Sequence, residues 1–113
     1  MDNASRDRAY LLHMRDAVRA ARSYVAGMDV NAFTEDMKTR DAVVRQLEIL
    51  GEAAKRVSDS LKTQHSNIPW KLMTGMRDKL IHDYRDVDTL AVWETATEDL
   101  QTLEPLLEAL AQE

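Results

Sequence analysis

The spacing of apolar residues along the chain predicts helices and no strand. Apolar side chains recur three and four positions apart through long intervals that contain few glycines or prolines, as they do on one face of a helix. A first helix is predicted from about Ser5 to Ala26, ending at Gly27. Its apolar stripe consists of Tyr10, Met14, Ala17, Ala21 and Val25. A second is predicted to begin with Thr34 as its N-cap and to end near Leu61.

The polar segment KTQHSNIP separates these helices from two more. The third is predicted to start at Pro69, and Asp88 is predicted to cap the fourth, which Pro105 should kink or restart near Leu103. The fourth helix is expected to bury Leu90, Trp93, Leu100, Leu103, Leu107 and Leu110. Short connections favour an all-α, up-and-down bundle of four helices, with residues 1–113 forming one domain.

Charge is distributed unevenly over the chain, whose net charge is −5. Residues 86–113 hold eight acids and no base, so a polyanion would be accepted only on the earlier part, although solvated helix faces explain the same charges. The absence of cysteine excludes disulfides, thiolate metal ligands and cysteine nucleophiles. No apolar run long enough for a membrane span and no leader-like N-terminus occur, so we expect a soluble, cytoplasmic protein.

Arg77 interrupts the apolar stripe of the third helix, in the segment GMRDKLIHDYRD. The stripe around it consists of Trp70, Met73, Met76, Leu80, Ile81 and Tyr84. A guanidinium stays charged and is costly to bury without a partner, so this face must meet a polar group or solvent. One explanation is structural, with Arg77 paired to a carboxylate such as Glu48 or Glu52.

His82 follows Arg77 by five residues, which places it about 140° further around a regular helix. Either the helix unwinds near His82 or the two side chains meet through a second copy of the chain. Arginine and histidine together suit cleavage of RNA, because imidazole can move the 2′-hydroxyl proton and guanidinium can stabilise charge on phosphate oxygens. As alternatives, His82 is a cation at a helix C-terminus and Tyr84 a half-buried packing residue.

Other chemistry finds little support in the sequence. No carboxylate stands three residues before any of His13, His65 or His82, and no glycine-rich phosphate loop occurs, so neither a metal nor another cofactor is expected. His13 and His65 have no partners near them in sequence and are expected to take no part in the site. Trp70 and Trp93 are expected in the core.

Four segments in order, RDRAYLLHMRDAV, RQLEILGEAAKRVS, IPWKLMTGMRDKLIHDY and DVDTLAVWETATEDL, resemble the HepT-like branch of the HEPN superfamily, the toxin half of toxin–antitoxin pairs. The motif of that superfamily matches Arg77, Asp78 and His82, and Tyr84 completes the H-x-Y extension. The chain differs from the family pattern at Arg85 and Asp86, where members of the family often have an aromatic residue and a glycine.

The resemblance implies a homodimeric helical bundle whose two motifs face one cleft, with metal-independent endoribonuclease activity on tRNA or mRNA. Arg77 and His82 would be catalytic, and Asp78 would orient Arg77 or line the cleft. The cognate antitoxin would resemble a minimal nucleotidyltransferase that adenylylates Tyr84. Two alternatives stay open: a noncatalytic module that binds a nucleotidyltransferase or RNA, and an oligomeric scaffold in which the acidic C-terminal helix pairs with the basic first helix.

Overall fold

Helices account for all regular secondary structure in residues 3–83 and 86–112, which the computed structural model describes. This confirms the all-α fold class. The helices are α1 (Asn3–Val25), α2 (Val30–Glu35), α3 (Met37–Arg56), α4 (Asp59–Gln64), α5 (Trp70–His82), α6 (Thr89–Glu94) and α7 (Leu100–Ala111), with a π-helical turn at Thr95–Asp99. α1 packs against α3 and α7, and α3 packs against α5.

The start of α3 differs from the prediction. Thr34, predicted as its N-cap, lies inside α2, where its hydroxyl donates to the carbonyl oxygen of Val30 at 2.7 Å. The cap is Asp36, whose carboxylate accepts from the backbone N–H of Thr39 at 3.0 Å and from its hydroxyl at 2.7 Å. These two hydrogen bonds lower the pKa of Asp36. The Thr34 prediction is wrong because a better-placed carboxylate two residues later starts the long helix.

The end of α3 also differs, because the helix stops at Arg56 and Leu61 belongs to α4. Ser58 separates the two helices in an extended conformation and caps α4, accepting from the N–H of Leu61 at 3.3 Å. Buried Asp7 of α1 holds this residue in place, accepting from the Ser58 N–H at 2.8 Å and from its hydroxyl at 2.6 Å. A contact from a distant helix therefore sets this boundary.

The C-terminal helix begins as predicted at Asp88, which accepts from the N–H of Ala91 at 3.1 Å. Its irregular part is the turn Thr95–Asp99, where a π-type hydrogen bond adds one residue to the turn. Pro105 lies inside α7, so the predicted restart near Leu103 is wrong.

One cluster of buried apolar side chains lies between the helices. It contains Met14, Ala17, Ala21 and Val25 of α1 as predicted, and Trp70 of α5. Trp93 is half-buried, with its ring 5.3 Å from that of Phe33. Leu90 is 56% exposed, so its predicted burial is wrong, and Val92 and Ala96 line the core instead. The extra residue of the π turn displaces the apolar stripe, which the prediction extended without a break.

The acidic C-terminal helix pairs with α1 of the same chain. Arg19 Nε donates to Glu108 at 2.7 Å, and Arg22 donates to Glu104 at 2.9 Å. The carbonyl oxygen of Ala111 accepts from Arg8 at 2.6 Å. The pairing of these two helices, which the scaffold alternative includes, is therefore present within one chain.

α3 and α5 approach each other most closely at Gly51. A β-carbon on this residue would overlap the β-carbon of Arg77 and lie 2.7 Å from the carbonyl oxygen of Met73. Gly75, in the middle of α5, has nothing within 4 Å of the same position. Only Gly51 is therefore required for the packing of the two helices.

We predict that Gly51→Ala lowers the free energy of unfolding by about 1–3 kcal/mol, because the added methyl group overpacks the α3–α5 contact. Gly75→Ala is the matched control and should stabilise the protein by roughly 0.5–1 kcal/mol, since alanine favours a helix interior. Urea unfolding followed by circular dichroism measures both. Equal stability of the two variants would contradict the close approach.

Candidate functional site

Arg77 lies on the face of α5 that meets α3, and 24% of its side chain is exposed. Its Nη2 lies 2.8 Å from Oε2 of Glu52, and its Nη1 donates to Asp78 at 2.9 Å. The expectation that this face meets a polar group is confirmed. The carboxylate is Glu52, one of the two partners considered for a structural role.

Glu52 is shared between two arginines. Its Oε1 accepts from Arg56 Nε at 2.9 Å, while its Oε2 faces Arg77. Although Glu52 Oε2 lies close to Arg77 Nη2, the two groups are not aligned for a hydrogen bond. Glu52 Oε2 is therefore buried without a hydrogen-bond partner among residues 3–83 and 86–112. Within the same residues, Arg77 Nε is also buried without one. Arg77 is thus held by its ion pair with Glu52 and its hydrogen bond to Asp78, while its Nε donor has no partner in the described part of the chain.

The charges of this network reinforce one another. The hydrogen bond to Asp78 raises the pKa of Arg77, assisted by the attraction of Glu52 and opposed by burial. The hydrogen bond from Arg56 and the attraction of Arg77 lower the pKa of Glu52, again against burial. The hydrogen bond from Arg77 lowers the pKa of Asp78, with smaller contributions from Lys55 and His82. The network therefore stays ionised at neutral pH and is lost only when pH falls through these lowered carboxyl pKa values.

A cavity of about 330 Å³ opens beside Arg77, between α1, α3 and α5. Its volume is near the lower end of the range of small-molecule sites, about 300–1,000 Å³. Three arginines and two glutamates line it, so it carries a net positive charge in a chain of net charge −5. Tyr10 and His13 come from α1, Arg45, Glu48, Glu52 and Arg56 from α3, and Arg77 and Ile81 from α5.

His82 does not line this cavity. It is exposed and ends α5, which remains helical through this residue, so the predicted possibility that the helix unwinds there is excluded. Within one chain, Arg77 and His82 therefore lie on different faces. Asp78 lies one turn before His82, and the attraction between them contributes to the low pKa of Asp78. Tyr84 and Arg85 fall outside the described residues.

Sequence reasoning missed the contribution of α1. His13 has no partner near it in sequence and is expected to take no part in the site, yet its ring meets that of Tyr10 edge to face, with centroids 6.0 Å apart. Tyr10 was expected in the core stripe and is half-buried at the cavity wall. Their three-residue spacing places them on one helix face, but nothing in the sequence indicates that this face meets Arg77.

Two other features are absent from the described part of the chain. Within residues 3–83 and 86–112, no three histidine, aspartate or glutamate side chains lie close enough together to hold a metal ion. In the same part of the chain, no helix is both long and apolar enough to cross a membrane.

Comparison with known proteins identifies the family. A family model described as ribonuclease HepT-like matches residues 14–110. A Thermococcus cleftensis protein named "probable ribonuclease HepT" is 40% identical over 101 residues, which cover 89% of this chain and 92% of the relative. A Caldanaerobacter subterraneus protein named a "putative RNase" is 37% identical over 105 residues, covering 93% of this chain and 94% of the relative.

A third relative, from Methanocaldococcus jannaschii and also named a "putative RNase", is 36% identical over 91 residues, which cover 80% of this chain and 78% of the relative. No solved structure matches the chain. The matched residues include α3, α5 and the whole described part of the Arg77 motif. The chain belongs to the ribonuclease HepT-like family.

Proposed function

We propose that this protein is a metal-independent endoribonuclease that acts in the cytoplasm as the toxin of a toxin–antitoxin pair. Family membership and the ribonuclease names of its relatives support the reaction class. The observation that carries the site assignment is Arg77, a guanidinium fixed by Glu52 and Asp78 on the wall of a positively charged cavity. Such a group suits an oxyanion that gains charge during the reaction.

The proposed reaction uses the 2′-hydroxyl of RNA as its nucleophile. The imidazole of His82 takes the proton from the 2′-hydroxyl while water gives a proton to the leaving 5′-oxygen, or His82 protonates the 5′-oxygen while water takes the 2′-hydroxyl proton. The 2′-oxygen forms a bond to phosphorus as the bond from phosphorus to the 5′-oxygen breaks. Arg77 stabilises the charge that builds on the other phosphate oxygens, and Asp78 orients Arg77 through their hydrogen bond of 2.9 Å.

Two chains are needed to assemble this site. Because Arg77 and His82 lie on different faces of α5, a substrate that touches both within one monomer would have to wrap around the helix. We therefore place Arg77 of one protomer and His82 of its partner in a shared cleft of a homodimer. Two-fold symmetry then gives two equivalent sites for each dimer.

Regulation is proposed to act on Tyr84, two residues after His82. A nucleotidyltransferase antitoxin would transfer an adenylyl group from ATP to the phenol oxygen and release pyrophosphate. The added phosphodiester carries a negative charge and would compete with RNA for the arginines of the cleft. The family resemblance supports this role.

We predict that Arg77→Ala and His82→Ala each abolish cleavage of RNA by the purified protein in the presence of a chelator. Loss of Arg77 removes the stabilisation of charge on phosphate, and loss of His82 removes proton transfer, which contributes about 10²–10⁴-fold in rate. Gel analysis of labelled RNA measures the cleavage.

The matched controls are Arg40→Ala, an arginine paired with Asp41, and His65→Gln, a histidine outside the cavity. Both should cleave at the wild-type rate. Cleavage that survives in both motif variants would refute the assignment. An inert wild-type protein that still binds a nucleotidyltransferase or RNA would favour the noncatalytic alternative.

We predict that mixing the Arg77→Ala and His82→Ala proteins restores activity. A mixed dimer keeps one site in which an intact Arg77 faces an intact His82, so random exchange should give about a quarter of wild-type cleavage. The same assay after subunit exchange measures the rescue. Its absence, with exchange verified by native mass spectrometry of differently tagged chains, would show that both groups act from one chain.

We predict that coexpression with a cognate nucleotidyltransferase antitoxin increases the mass of this chain by adenylyl groups and suppresses cleavage. Tyr84→Phe should prevent both effects, because it removes the acceptor oxygen. Tyr24→Phe, an exposed tyrosine of α1, is the control and should be modified like wild type. Intact-protein mass spectrometry measures the modification, and adenylylation of the Tyr84→Phe protein would contradict the assigned position.

A further inference from the structure

Tyr10 and His13 form an aromatic pair at the wall of the Arg77 cavity. The two rings meet edge to face at an interplanar angle of 82°. His13 is exposed and Tyr10 is half-buried, so His13 is the more accessible of the two rings. The mechanism proposed above uses neither residue.

The groups around this pair favour an anion with an apolar, planar part. Arg45 is 70% exposed on its side chain and lies 3.8 Å from Glu48, a long and solvated contact that leaves the guanidinium available. Ile81, 41% exposed, adds an apolar surface on the α5 side of the same cavity. Arg56 already donates a hydrogen bond to Glu52, which raises the pKa of Arg56, and the attraction of Tyr10 adds to this rise.

We propose that Tyr10 and His13 form a subsite for one unstacked base of single-stranded RNA, next to the phosphate bound by Arg77 and Arg45. Proteins that bind single-stranded RNA commonly stack its bases on tyrosine and histidine rings and contact its backbone with arginine. A cavity of about 330 Å³ suits a single nucleotide unit better than a helical segment. The identity of the ligand as RNA rests on the proposed function.

The subsite contributes binding and position, while proton transfer stays with His82. Stacking of one base on an aromatic side chain changes affinity by about 5- to 150-fold. Loss of either ring should therefore weaken the binding of substrate by an amount in this range, and the rate of the bound substrate should change much less.

A titration that requires no cleavage tests the subsite first. The chain contains three histidines, whose ring-proton NMR signals can be assigned by substituting each in turn. Added adenosine 5′-monophosphate should shift the His13 signals saturably and leave those of His65 in place. Inorganic phosphate should not reproduce the His13 shift, because it has no ring to stack.

Variants then locate the effect within the cavity. Tyr10→Leu and Arg45→Ala should weaken the nucleotide-dependent shift of His13, whereas Tyr24→Leu, on the same helix, should not. Unmoved His13 signals, an equal effect of inorganic phosphate, or equal weakening by Tyr24→Leu would overturn the subsite. Circular dichroism of the Tyr10→Leu protein checks that it is folded.

Cleavage kinetics provide the second test. His13→Ala should raise KM for a single-stranded oligonucleotide by about 5- to 150-fold with a small change in kcat, whereas Arg77→Ala should lose kcat. Removing the base beside the cleaved phosphate should slow wild type and have little effect on His13→Ala. Equal sensitivity of the two proteins to base removal would overturn the proposal. If wild type cleaves no RNA, the proposed function fails, and the titration still decides the subsite.

Discussion

The contact of α3 with α5 at Gly51 is the constraint on which the candidate site depends. Because Gly51 has no β-carbon, the backbone of α3 can approach Arg77 and Met73 closely. The next residue along α3 is Glu52, which therefore stands beside the guanidinium as it leaves the helix contact. A larger residue at position 51 would separate the helices and move Arg77 away from this carboxylate. Packing and electrostatics at the site consequently depend on one position.

The distribution of carboxylates explains how an acidic chain keeps a positive cavity. Glu104 and Glu108 of α7 are engaged by arginines of α1, on the side of the bundle where those two helices meet. On the α3 side, Glu52 is shared by Arg56 and Arg77, and Asp78 gives Arg77 a second partner. The arginines that line the cavity outnumber the glutamates by one, which favours an anionic ligand, and the carboxylates reduce the cost of partly burying the guanidinium groups.

The sequence determined the helical class and several details of the fold, because apolar periodicity and N-caps act locally. Met14, Ala17, Ala21 and Val25 are buried as their spacing predicts, and Asp88 caps the last helix. The end of α3 escaped prediction because Asp7, 51 residues earlier, fixes Ser58. The position of His13 could not be predicted for the same reason, because a pattern within α1 does not show which helix this segment will face. Apolar periodicity also does not reveal a π turn. The extra residue of the turn rotates the apolar face before it relative to the apolar face after it.

A site divided between two chains would explain why the two motif residues differ in their surroundings. Arg77 is fixed by its own chain through Glu52 and Asp78, whereas His82 is exposed at the end of its helix. In such a dimer the fixed charge would position the phosphate, and the partner would supply the histidine. A negatively charged group on Tyr84, two residues after His82 in sequence, would compete with RNA for the arginines of such a cleft.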